Sequence, residues 1–228
     1  MIREVSLNEI SDGKLYKIND LVKADCHDCK GCSACCQGMG KSIILDPFDV
    51  YRLSNYLCLS FEELLKDKIE LNIMDGVILP NLKMAGALEQ CAFLDTHGRC
   101  SIHEYRPGIC RLFPLGRYYE NNSFQYFLQI HECRSENRTK IKVRKWIDTP
   151  DYKNNEQFII NWHYFVKDVQ TLLKSTQEDS KVKAITMYLL KTFYLTPYDA
   201  NQDFYVQFND RLNAAQNYLS FQTKANQA

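Results

Sequence analysis

The stretch Cys26-His27-Asp28-Cys29-Lys30-Gly31-Cys32-Ser33-Ala34-Cys35-Cys36 places five of the chain's ten cysteines in eleven consecutive positions. Three C-x2-C steps run in series and end in an adjacent pair. A C-x2-C step sets two thiolates about one turn apart, so both can reach one ion while the intervening amides donate to sulfur. Gly31, Gly38 and Gly40 allow the tight turns that aim those amides. Downstream, Cys91, Cys100, Cys110 and Cys133 read as the far ligands that close the site, and no cysteine follows Cys133.

Ten cysteines among 228 residues are too dilute for a small disulfide scaffold. Clustered in this way, and with a reducing compartment expected, they read as ligands or catalytic thiols rather than staples. Apolar residues make up 45% and charged residues 25%, ordinary values for a globular chain with room for one sizeable domain or two small ones. Lysine plus arginine balances aspartate plus glutamate at 28 each, so no global field points toward nucleic acid or an anionic membrane. No apolar run approaches a membrane span, and Met1 to Val22 contains no apolar h-region. No membrane or nucleic-acid partner is therefore expected, and the expected compartment is the cytoplasm.

The flanking sequence predicts an α+β fold. An irregular cysteine-rich metal-binding module with short β-hairpins and helices is expected over residues 1–148, followed by a helical segment packed on it over 149–228. Val5–Leu21 carries at most one short element. Ser42–Leu45 reads as a brief strand. Asp46-Pro47 opens a helix with an N-cap carboxylate and proline at the first position, and Ser60-Phe61-Glu62-Glu63 is a capping box for the next. Val77–Leu79 and Ala92–Leu94 are strand-like, and Asp95–Gly98 is a turn that sets Cys91 and Cys100 on either side of a hairpin. Two prolines and a glycine confine any helix in Cys100–Pro114 to a turn or two. Leu115–Glu120 and Ser123–Leu128 flank Asn121-Asn122 as a second hairpin. Beyond Asp148-Thr149-Pro150-Asp151 the period becomes helical. Its three apolar stripes are Phe158, Trp162, Phe165, Val169 and Leu172; then Val182, Ile185, Leu189 and Phe193; then Phe204, Phe208, Leu212, Ala215 and Leu219.

Two C-x2-C pairs make a tetrahedral zinc site, whereas three in series followed by a remote cysteine are close to the ferredoxin order of a 4Fe-4S cluster. Successive side chains diverge, so Cys35 and Cys36 suggest two neighbouring centres or one ligand beside a spectator. The candidate metal ligands are Cys26, Cys29, Cys32, Cys35, Cys36, Cys91, Cys100, Cys110 and Cys133, near the number two four-thiolate sites require. The cofactor they imply is an iron–sulfur cluster or zinc, and Cys58 reads as a small core hydrophobe. A structural zinc contributes roughly 10–16 kcal/mol against a typical domain stability of about 5–15 kcal/mol. Chelation is therefore expected to unfold the first two-thirds of the chain.

Arg99, Arg106, Arg111 and Arg117 surround the downstream cysteines, either to offset thiolate charge or as solvated surface. His27 and His131 are further ligand candidates. His97 reads as solvent-exposed, and His163 as structural. Gly38-Met39-Gly40-Lys41-Ser42 is not a phosphate loop, because Cys35 stands where its first glycine belongs and no strand precedes it. A thioredoxin-like pair lacks its βαβ context, and the radical order C-x3-C-x2-C is absent. Lys140–Lys145 has no aromatic stacking platform and reads as a solvated face.

Cys29-x2-Cys32-x2-Cys35-Cys36, Cys91-Ala92-Phe93-Leu94, Cys100-Ser101-Ile102, Arg106-Pro107-x2-Cys110-Arg111-x-Phe113-Pro114 and the late Cys133 together resemble the CxxCxxCC, or YkgJ-type, cysteine-cluster family of zinc- or iron-chelating domains. The resemblance covers about residues 26–133. It implies metal binding and an iron–sulfur assignment without naming a reaction. Cys26 is an extra thiol ahead of the usual set, and His103 stands where the family often has tyrosine. A related motif occurs in flagellin lysine N-methylases, so a methylase is one alternative. A zinc-stabilised protein-interaction module is the other.

Overall fold

The computed structural model describes residues 6–26, 32–135 and 137–224. The chain is α+β, a series of small sheets followed by long helices. A one-turn helix α1 (Leu7–Ile10) leads into β1 (Ser11–Tyr16) and β2 (Leu21–Asp25). The cysteine ribbon contributes one 3-10 turn, Ala34–Cys36. Helix α2 (Pro47–Leu57) begins at Asp46, whose Oδ1 accepts from Asp49 N at 2.8 Å while Asp46 N donates to Asp49 Oδ2 at 3.2 Å. Pro47 occupies the first helical position, where no donor is needed. Helix α3 (Phe61–Asp67) starts on the reciprocal Ser60–Glu63 box.

Strands β3 (Ile69–Met74) and β4 (Val77–Leu82) form a hairpin that turns on Asp75 and Gly76, both at positive φ. Two-residue strands β5 (Met84–Ala85) and β6 (Gln90–Cys91) pair next. A 3-10 turn, His103–Tyr105, precedes helix α4 (Gly108–Leu112), as the prolines require. The hairpin β7 (Leu115–Glu120) and β8 (Ser123–Gln129) turns on Asn121 and Asn122, at φ 51° and 52°. Then come β9 (Thr139–Lys142) and helices α5 (Val143–Ile147), α6 (Tyr152–Ser175) and α7 (Asp179–Leu190). A π-helical turn (Lys191–Leu195) and α8 (Phe204–Lys224) complete the order.

Two pairings join distant parts of the chain. β1 lies antiparallel on β8 in a sheet of order β1-β8-β7, and β2 lies antiparallel on β9. Residues 42–45 run beside β4, with Leu45 N donating to Pro80 O at 2.9 Å and Leu82 N to Ile43 O at 3.0 Å. In the basic run, Lys140, Lys142, Arg144 and Lys145 are exposed while Val143, Trp146 and Ile147 are buried, so its polar face covers part of the core.

The buried apolar side chains form one continuous cluster on both sides of residue 148. Phe48 of α2 packs on Phe158 of α6 and on Phe204 of α8, and Phe158 meets Phe208 edge-on at 4.6 Å. Burying each such ring contributes about 1.5–3 kcal/mol. Three polar ties fix the helices on the sheets: Ile78 N donates to Thr186 Oγ1, Gln170 Nε2 to Met74 O, and Tyr194 Oη to Leu45 O. Cys58 departs from its sequence reading. Helix α2 stops at Leu57, and Cys58 caps it at φ 53°, so the thiol is exposed instead of entering the core.

Candidate metal centre

Backbone pairing carries the thiols toward one another from four separate places. The 34–36 turn lies against β6 through a bridge between Gln37 and Gln90 and a bond from Gly38 N to Glu89 O at 3.0 Å. That register sets Cys35 and Cys36 beside Cys91. From Cys91 the chain turns through Asp95, whose carboxylate accepts from His97 N and Arg99 N, and returns with Leu94 bridged to Cys100. Ser101 N then donates to Phe93 O at 2.8 Å. The hairpin expected around Asp95–Gly98 is thus one isolated bridge, because Phe93 is drawn into the core. Cys110 arrives on α4, whose first amide, Gly108 N, donates to Asp49 Oδ1 at 2.7 Å.

The electrostatics report the convergence. The Cys35 thiol is held down to about 7, first by its hydrogen bond with Cys36 and also by the Arg106 guanidinium, with burial opposing. Cys36 is pushed up by that same bond, by burial, and by the Cys35, Cys100 and Cys91 thiols. Burial pushes Cys110 well up, helped by Asp49, Cys91, Cys35 and Cys100. Burial also raises Cys91 and Cys100, while each accepts from the amide two residues on, Phe93 N and Ile102 N respectively. An amide aimed at sulfur favours the thiolate that metal binding requires. Cys35 and Cys36 therefore do not diverge. Both face Cys91 and Cys100, which makes five thiols in one neighbourhood.

Burial raises the Cys133 thiol, Ser135 N donates to it, and its neighbouring thiols are Cys26 and Cys32. Cys29 and His27 lie outside the described residues. Among the described residues all nine cysteines are free thiols. No three Cys, His, Asp or Glu side chains among them are drawn to coordinating distance around a common point.

The other candidates separate cleanly. Arg106 and Arg99 act on the inner thiols. Arg111 is buried and instead donates to three carbonyls, Arg106 O, Asp148 O and Glu104 O, binding the turn before α4 to the end of α5. Arg117 faces Tyr119, Tyr126 and the Asp46–Asp49 pair. His103 is bonded to Arg106 Nη1, and His131 and His97 are exposed. His163 stacks on Tyr119 with ring centroids 3.5 Å apart. Asp49, buried behind Cys110, is the member of the site that sequence reading missed. Its i+3 spacing from Asp46 was the available signal.

Soft thiol donors with amides aimed at sulfur fit a thiophilic ion or an iron–sulfur cluster. Among the described residues no helix is long and apolar enough to cross a membrane. No curated protein and no solved structure matches the chain. A family model, CxxCxxCC, described as "Putative zinc- or iron-chelating domain", matches residues 28–144. Spanning just over half of the sequence, that match means the chain belongs to the CxxCxxCC family of zinc- or iron-chelating domains.

Proposed function

We propose that the protein holds an iron–sulfur cluster of the 4Fe-4S type through the inner thiols Cys35, Cys36, Cys91, Cys100 and Cys110, and serves a redox role in the cytoplasm. The observation that supports this most is the gathering of five thiols from the 34–36 turn, β6, the 100–102 segment and α4, with Cys35, Cys91 and Cys100 next to both Cys36 and Cys110. A 4Fe-4S cluster takes four thiolates, and the thiophilic set here supplies them. Bound there, a cluster would supply one-electron chemistry. The chain's own residues do the rest. Arg106 and Arg99 offset thiolate charge, Phe93 N and Ile102 N donate to ligand sulfur, and the helical segment 149–228 buries the apolar side of the module.

Anaerobic isolation followed by iron, sulfide and zinc analysis tests the reading. About four iron and four sulfide per chain are expected, with visible absorption that bleaches on reduction. A colourless protein with zinc at these cysteines makes the centre a zinc site. A folded, metal-free protein overturns metal binding altogether.

A further inference from the structure

Away from the thiols, a cavity opens between the β7–β8 hairpin, α5 and the first turns of α6. Its walls are Arg117 and Tyr126, which face each other across the β7–β8 register, together with Arg144, Tyr152, Asn155 and Glu156. Backbone bonds fix the α5 wall: Val143 N donates to Asp20 O at 3.0 Å and Arg144 N to Ile18 O at 2.8 Å. The free volume, about 20 Å³, is room for little more than one water-sized group.

Two guanidinium groups with donors to spare line this space. Arg117 is half-buried and bonds to the Tyr119 and Tyr126 hydroxyls, yet its Nε is buried with no hydrogen-bond partner among the described residues. A fold rarely leaves such a donor without an acceptor. Arg144 is exposed at the rim, with its Cζ 4.3 Å from the centroid of the Tyr152 ring. That stacking holds the guanidinium by its face and leaves its N–H edge free to donate. Among the described residues neither group makes an ion pair. Glu156 is the cavity's one carboxylate, so the lining carries two positive charges and one negative. Asp46 and Asp49, which Arg117 also faces, stand outside the lining, and burial favours their neutral acids.

We propose that this cavity binds a small organic monocarboxylate, its two oxygens seated between the Arg117 and Arg144 guanidinium groups. A planar guanidinium fork matches the two oxygens of a carboxylate. One negative charge neutralises the lining, and the Glu156 carboxylate repels any second charge on the ligand. A phosphate dianion or a dicarboxylate is therefore disfavoured. The small volume admits the carboxylate head and keeps rings and nucleotides outside. The site is also distinct from the metal centre, whose thiols have Arg99 and Arg106 as their cations.

The test titrates the anaerobically isolated, nitrogen-labelled full chain with sodium acetate, exchanged for chloride at constant ionic strength. Nuclear magnetic resonance follows the arginine Nε–Hε signals, with those of Arg117 and Arg144 assigned from the spectra of Arg117→Gln and Arg144→Gln. In wild type both signals are expected to move and saturate with a single dissociation constant. Arg144 is exposed and its truncation leaves the core intact, so Arg144→Gln keeps the fold readable. In that variant the Arg117 signal is expected to need about tenfold more acetate. Lys145→Gln removes an exposed cation that does not line the cavity, and it is expected to bind as wild type does. Inorganic phosphate at the same ionic strength is expected to bind at least about tenfold more weakly than acetate. Signals that drift without saturating overturn the site, as does wild-type affinity in Arg144→Gln. Phosphate that binds as tightly as acetate overturns the assignment to a monocarboxylate.

Discussion

Asp49→Ala is the perturbation that most directly tests how the fold positions the inner thiols. Asp49 is 4% exposed, and its two carboxylate oxygens accept from Gly108 N at 2.7 Å and Asp46 N at 3.2 Å. It is thus both half of the α2 cap and the acceptor for the first amide of α4, the helix that carries Cys110. Truncation leaves those two amides short of an acceptor, at about 1–3 kcal/mol each. Removing a buried carboxylate beside Asp46 gives part of that back. A net loss of about 3 kcal/mol is expected, against about 1 kcal/mol for Asp46→Ala, which removes the cap alone. At about 2–4 °C per kcal/mol for a chain of this size, thermal unfolding followed by circular dichroism should fall by roughly 6–12 °C for Asp49→Ala. The metal content of the variant should fall too, because α4 loses its anchor. If the two alanine variants unfold within about 1 kcal/mol of each other, Asp49 is an ordinary cap and the reasoning is wrong.

Arg111→Lys should destabilise by about 3 kcal/mol in urea unfolding, because an ammonium cannot span the three carbonyls that the guanidinium fork reaches; a midpoint equal to wild type refutes this. Burial first, and then the Lys167 and Arg117 charges, lower His163 to about 4, so it is neutral on Tyr119 at physiological pH. Its contribution is present above the ordinary histidine range near 6.5 and lost as pH falls toward about 4. His163→Phe should therefore flatten stability across that window, and an unchanged acid limb counts against it. Asp46 and Asp49 are both raised, chiefly by burial, so their share of stability is fully present below the ordinary carboxylate range and lost as pH rises through their raised values. Asp46→Asn should weaken that dependence, and a pH profile parallel to wild type would refute the assignment.

The cysteine spacing made the metal-binding character legible, because a C-x2-C step is a local geometry that the chain carries wherever it folds. Helix starts were equally local: Asp46-Pro47 and Ser60–Glu63 cap where they were expected, since a cap involves only residues three positions apart. The hairpin at Asn121-Asn122 follows from turn chemistry within two residues. The three helical stripes fall on the core-facing sides of α6, of α7 with its π-helical turn, and of α8, with Trp162, Leu172, Val182 and Leu219 half-buried.

What no local pattern could supply was the pairing of β1 with β8 and of β2 with β9, each bridging more than a hundred positions. Those contacts depend on which apolar faces find each other once the whole core closes. They also decided which thiols are neighbours: Cys36 has Cys35, Cys91 and Cys100 beside it, and Cys133 has Cys26 and Cys32. The same closure supplies an apolar interior that runs through the cysteine module. The sequence by itself determined which atoms could bind a soft metal, because that is a property of side-chain type and short spacing. Only the tertiary structure decided which of those atoms meet, because burial and strand register act between residues that are neighbours in space and strangers in sequence.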